Sequence, residues 1–139
     1  IREDISAGHR PEGVQVNHDI SVPVSQTPAF LREANAAVTA AYPGVRIVAF
    51  GHMGDGNFHY TLMQGEGDDP ASFPGARLSD IANAIAVRLG GSISAEHGIG
   101  VARAGELPRY KDAQALDLMR AVKRALDPHR IMNPRALIP

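Results

Sequence analysis

The sequence predicts an α+β fold of the ferredoxin-like kind: a β-α-β-β-α-β antiparallel sheet with helices on one face, then a C-terminal helix and an extended tail. Three observations carry this expectation. Apolar residues alternate with polar ones over residues 13–24, two later segments carry apolar residues at three- and four-residue spacing, and a glycine-rich reversal separates two short β-branched and aromatic runs.

In the first segment, "GVQVNHDISVPV", Val14, Val16, His18, Ile20, Val22 and Val24 fall on one face, the period of a half-buried strand. His18 reads there as a hydrogen-bonded strand residue. "SQTPAFLREANAAVTAAYPG" then changes to helical spacing, with Ser25 or Thr27 as a cap, Pro28 in the first turn and Phe30, Leu31, Ala34, Val38 and Ala41 as the apolar stripe. Pro43 and Gly44 end it. "VRIVAF" and "NFHYTLM" read as the second and third strands, paired as a hairpin through an Asp55-Gly56 turn with positive φ. "QGEGDDPASFPG" is a loop. Leu78, Ile81, Ile85 and Leu89 mark the second helix, which a glycine pair stops. "SISAE" completes the sheet as a fourth strand. Leu116, Met119, Val122 and Leu126 place a third helix over residues 113–125, and prolines keep the tail "DPHRIMNPRALIP" extended.

Composition narrows the function. The 139 residues suit one domain with one core, the net charge is -1, and no run of five like charges offers a nucleic-acid or membrane footprint. Cysteine is absent, which excludes disulfides, thiolate metal sites and cysteine nucleophiles. No apolar run approaches the roughly 18 residues of a membrane span, and no signal-peptide plan opens the chain. A cytoplasmic location is expected, with peripheral attachment at the inner membrane compatible in a longer protein. The opening "IREDISAG" lacks an initiator methionine, so a piece of a longer polypeptide is expected.

The chemistry concentrates in "FGHMGDGNFHY" and "SAEHGIG". The predicted topology runs the second and fourth strands in one direction, which collects His52, His59, Glu96 and His97 on one sheet edge. Two histidines and a carboxylate can hold a divalent ion and leave positions open to a substrate. His97, beside Glu96, is then placed to take a proton near neutral pH. The competing reading is structural: the glycines only reverse the chain, His97 caps or packs, and the domain is a ferredoxin-like small-molecule binding or regulatory module. A phosphate loop is disfavoured because "GHMGDG" lacks the lysine and opens no helix. His9 and His129 read as solvent-facing. Arg2, Arg103 and Arg109 are the cations considered for a substrate carboxylate.

Together, "HDISVPVS", "GHMGDGNFH", "SAEHGIG" and "ALDPHRIMNP" resemble, in order and over nearly the whole chain, the C-terminal domain of the FAD-linked oxidases. That family includes D-lactate dehydrogenase of the cytochrome-linked type, glycolate oxidase and D-2-hydroxyglutarate dehydrogenase. The resemblance implies a two-domain flavoenzyme whose N-terminal domain holds most of the FAD, while this domain, residues 1–139, carries substrate. It implies His52, His59 and Glu96 as ligands of a divalent metal, commonly zinc, and His97 as the catalytic base. Arg2 and Ser6 fall where the family grips the substrate carboxylate, Thr61 at a further substrate position and Asn133 in a motif that returns toward the flavin. Implied partners are a small 2-hydroxy acid, the FAD domain and an electron acceptor; a homodimer is compatible. Where some members have lysine and asparagine, this chain has Asn17 and Thr61, which weakens recognition of a distal second carboxylate and points to lactate, glycolate or a similar monocarboxylate. Arg103 and "NPRA" also depart from the common lysine and "NPGK".

Overall fold

The computed structural model describes residues 13–138. Arg2, Ser6 and His9 lie outside the described residues. The chain divides into two compact units, Ile1–Ala95 and Glu96–Pro139.

In the first unit, β1 (Gln15–Ser21), β2 (Arg46–His52) and β3 (Asn57–Met63) form an antiparallel sheet in the order β1-β3-β2. α1 (Thr27–Ala41) follows β1, and α2 (Gly75–Arg88) follows β3. The α+β class therefore holds. A regular fourth strand does not form: residues 92–95 meet β1 through two isolated bridges of different type, antiparallel at Ser21–Ser92 and parallel at Asp19–Ser94, so no continuous ladder can develop. The direction expected of this segment is also corrected. As the chain advances from Ser92 to Ser94 its partner steps back from Ser21 to Asp19, so the segment runs against β1 and with β3, not with β2.

The core lies on one face of the sheet. Ile20, Phe58, Tyr60 and Leu62 meet Phe30, Ala34 and Val38 of α1 and Leu78, Ala82 and Ala86 of α2. Phe30 stacks on Phe58 with centroids 5.6 Å apart and meets Tyr60 edge-on at 5.4 Å, so its truncation to alanine would cost about 3–5 kcal/mol. His18 faces this core as a satisfied strand residue, with Nδ1 2.8 Å from the Tyr60 carbonyl and Nε2 3.0 Å from Ser79 Oγ. The Tyr60 hydroxyl donates to Asn35 Oδ1 at 2.8 Å, and burial pushes its phenol up. In α1, Pro28 takes its place in the first turn, but neither Ser25 nor Thr27 caps; the cap position is Gln26 and makes no side-chain bond, while Thr27 is buried. The loop after β3 is tied by Tyr42, whose hydroxyl donates to Asp68 and accepts from the Gly65 amide.

In the second unit, a single turn α3 (Leu107–Tyr110), missing from the expected elements, precedes α4 (Ala113–Leu126). Asp112 caps α4 by accepting from the Gln114 and Ala115 amides. The tail is not extended. It turns around Asp127, which is 3 % exposed and accepts from Lys123 Nζ at 2.6 Å and from the Ile131 and Met132 amides at 2.9 and 3.0 Å. Prolines excluded a helix, but the carboxylate supplied the missing partners for backbone amides. Lys123 holds the Asp127 carboxyl below its ordinary value. An unfolded aspartate titrates near about 3.9, so this support is complete above that pH and is lost as pH falls through the lower folded value. Asp127→Ala is expected to speed amide exchange at Ile131 and Met132 by on the order of tenfold at neutral pH. Acidifying the native protein well below the ordinary aspartate range should reproduce the effect.

Candidate functional site

The β2–β3 hairpin sets the first half of the site. Its turn is a 3-10 segment, Met53–Asp55, closed by Gly56 at φ 68°, a longer reversal than a two-residue Asp-Gly turn. Gly56 is required there: a Cβ would lie 1.9 Å from the Val22 carbonyl oxygen, and the Gly56 carbonyl accepts from the Val22 amide at 2.9 Å. The reversal is thereby pinned to the end of β1.

Register then sorts the side chains. Phe58, Tyr60 and Leu62 point into the core, so Asn57, His59 and Thr61 point to the face away from α1 and α2, where Asn57 and Thr61 are buried and His59 is half-buried. Asn57 is paired with His52 on one side and Ser21 on the other; His59 is paired with Phe50 and Asp19; Thr61 is paired with Val48 and Asn17. His52 and His59 therefore share a face at diagonal positions, about 7–8 Å apart by sheet geometry. They meet on a face of the sheet, whereas the expectation from sequence was an edge.

Asp19 is the residue that sequence reasoning missed. It is 5 % exposed, and one of its carboxylate oxygens lies within 4.8 Å of a ring nitrogen of His59. Its Oδ2 accepts from the Ala95 amide at 3.0 Å and from Ser94 Oγ at 3.4 Å, and its backbone carbonyl accepts from the same Ala95 amide at 2.9 Å. A signal for it existed. In alternation, Asp19 falls opposite His18 and Ile20, on the same face as His59 once the antiparallel order is assumed.

Glu96 and His97 open the second unit, directly after Ala95. Both are exposed, with His97 Nε2 3.6 Å from Glu96 Oε1. Thr61 is buried and donates its hydroxyl proton to Asn17 Oδ1 at 2.9 Å. Asn133 sits in the tail at φ 45° and lines an apolar groove of about 530 Å³ with Leu118, Val122 and Leu137. Arg103 is half-buried, Arg109 lies over the Tyr110 ring with its guanidinium carbon 5.4 Å from the centroid, and His129 is exposed. No helix among the described residues is long and apolar enough to cross a membrane.

The chemistry of the donors suits a divalent ion such as zinc or manganese, being imidazole and carboxylate without thiolate. Asp19 and His59 bring ligand atoms within 4.8 Å of each other, whereas His52, which shares the sheet face of His59, is not among the residues whose ligand atoms converge there.

The model of the family "FAD linked oxidases, C-terminal domain" matches residues 1–137. A D-2-hydroxyglutarate dehydrogenase of Xanthomonas citri pv. viticola is 40% identical over 122 residues, 86% of this chain and 26% of that protein. A D-lactate dehydrogenase of Archaeoglobus fulgidus is 36% identical over 138 residues, 99% of this chain and 30% of that protein. A probable mitochondrial D-2-hydroxyglutarate dehydrogenase of Oryza sativa subsp. indica is 31% identical over 139 residues, 100% of this chain and 24% of that protein. The chain thus spans about a quarter of the length of these relatives. With the match running from the first residue almost to the last, the chain belongs to the FAD-linked oxidases, as their C-terminal domain.

Proposed function

We propose that this chain is the substrate- and metal-binding domain of an FAD-dependent D-2-hydroxy-acid dehydrogenase, which oxidises a D-2-hydroxy acid to the 2-oxo acid. The observation that carries the reading is the sharing of one sheet face, the one turned away from α1 and α2, by His52 and His59, beside Asp19. Glu96 and His97 follow, in sequence, the segment that Asp19 holds.

In this reading His52, His59 and Glu96 hold the ion, and His97 takes the proton of the substrate hydroxyl. A divalent ion supplies Lewis acidity toward the hydroxyl oxygen, and FAD, held mostly by the other domain, supplies the hydride acceptor. The β2–β3 ladder fixes the backbone that carries the two imidazoles before substrate arrives, which reduces the ordering left to the reaction itself. His97 is exposed, as a group must be that exchanges its proton with solvent between turnovers.

The substrate side favours a monocarboxylate such as D-lactate or glycolate. Asn17 and Thr61 are neutral and hydrogen-bonded to each other, so this pair offers no cation to a second carboxylate. Names among the relatives include both a diacid and a monoacid substrate. The full-length protein should therefore reduce an artificial electron acceptor with D-lactate or glycolate at a kcat/KM about tenfold or more above that with D-2-hydroxyglutarate. A preference for the diacid would overturn the substrate assignment.

The metal has its own test. The full-length protein should contain stoichiometric zinc or manganese, and His52→Ala should lose it together with turnover. If no preparation contains metal and supplementation leaves turnover unchanged, the histidines are structural and the binding-module reading gains.

A further inference from the structure

The last turns of α4 and the turn that follows them line a cavity of about 200 Å³, with Arg120, Lys123, Arg124 and Arg130 around it beside Asp127. All of these residues belong to the second unit. Four cations thus accompany a single carboxylate.

That carboxylate is already committed. Asp127 Oδ2 accepts from Lys123 and from the Met132 amide, and Oδ1 accepts from the Ile131 amide. Arg120 is paired within its own helix, its Nη1 donating to Asp117 Oδ1 at 3.0 Å. Arg124 and Arg130 are exposed and have no acidic partner among the described residues. Two guanidiniums therefore bring the cavity positive charge that the second unit does not balance.

Helix polarity accounts for only part of this arrangement. Cations in the last turn of a helix complement its dipole, and Lys123 and Arg124 stand there. Arg120 lies one turn earlier, at the i,i+4 spacing that sets it beside Arg124 and makes like charges repel. Arg130 lies beyond the helix in the left-handed region, at φ 54°, where glycine or asparagine is the usual residue. Helix stability favours neither choice; what Arg120, Arg124 and Arg130 share is the cavity.

We infer that this cavity binds a phosphate-type oxyanion. Guanidinium presents paired N–H donors that match phosphate oxygens, and a phosphate monoester carries about −1.5 to −2 charge at neutral pH, which answers two unbalanced arginines. A carboxylate would bring one charge only. The volume lies below the roughly 300–1,000 Å³ of pockets that enclose a drug-sized ligand, so the site takes the phosphate group and leaves the rest of any carrier outside.

The test titrates inorganic phosphate into the full-length, FAD-loaded protein by calorimetry at low ionic strength. A saturable site is expected, weakened about tenfold or more in Arg124→Gln and in Arg130→Gly, as for the loss of a charged hydrogen-bond partner. Arg77→Gln, which removes an exposed arginine of α2, should leave it unchanged. Arg130→Gly carries a control of its own, because glycine adopts φ 54° freely: its melting temperature should equal or exceed that of wild type while phosphate affinity falls. Phenyl phosphate bound as tightly as inorganic phosphate identifies a carried phosphate group, and inorganic phosphate bound alone identifies the free anion; either result supports the site. Phosphate affinity equal in wild type, Arg124→Gln and Arg130→Gly overturns the inference. So does acetate that competes with equal affinity, or a wild type that shows no saturable phosphate binding.

Discussion

Full-length protein carrying His97→Ala is expected to lose turnover with a D-2-hydroxy acid by about 10²- to 10⁴-fold, the span that a positioned general base contributes. Its metal should stay bound at unchanged stoichiometry, because His97 is not among the proposed ligands. Its melting temperature should barely move, since the side chain is exposed. Steady-state reduction of an artificial acceptor, read beside metal analysis, separates this residue from its neighbour. Glu96→Gln should lower metal content and turnover together, whereas His97→Ala lowers turnover alone. Normal turnover in His97→Ala would remove the assigned base.

The largest structural effect should come from Gly56→Ala. The new Cβ would stand 1.9 Å from the Val22 carbonyl oxygen, a backbone atom with little freedom to move, and the residue must keep φ near 68°. A left-handed conformation costs a side chain about 1–2 kcal/mol, and forcing apart a packed contact about 1–3 kcal/mol more. The sum is a large part of the roughly 5–15 kcal/mol that holds a domain together. Gly54→Ala is the matched control, because a Cβ there meets nothing within 4 Å. Denaturant midpoints should fall sharply for Gly56→Ala and stay near wild type for Gly54→Ala; equal midpoints would show that the Val22 contact yields easily.

Local periodicity made most of the first unit legible. Alternation around His18 and Ile20, and the spacing of Phe30, Ala34 and Val38, reflect which residues must leave water, and the folded chain buries these five. The hairpin was legible for a related reason, since glycines mark where the chain can turn back. The fourth strand was not, because "SISAE" has the composition of a strand while its pairing depends on partners about seventy residues away in sequence. There the Asp19 side chain competes with the ladder for the Ala95 amide. The tail was misread for the same reason: proline reports what a segment cannot be, and only the carboxylate of Asp127 decides what it becomes.

For the candidate site, His52 and His59 were visible as a pair because they stand close in sequence on either side of one reversal. Asp19 was not, as its relation to His59 exists only once β1 and β3 are in register. Arg2 and Ser6 rest on family resemblance alone.

The sorting of β3 has a consequence for how this domain can change. Its residues alternate between the two faces of the sheet, Phe58, Tyr60 and Leu62 toward the core and Asn57, His59 and Thr61 toward the face of the candidate site. A single inserted or deleted residue within the strand would exchange the two sets, sending imidazole into the core and aromatic rings out of it. Substitution can therefore tune this strand one letter at a time, but a change of length there disrupts the core and the candidate site in the same event.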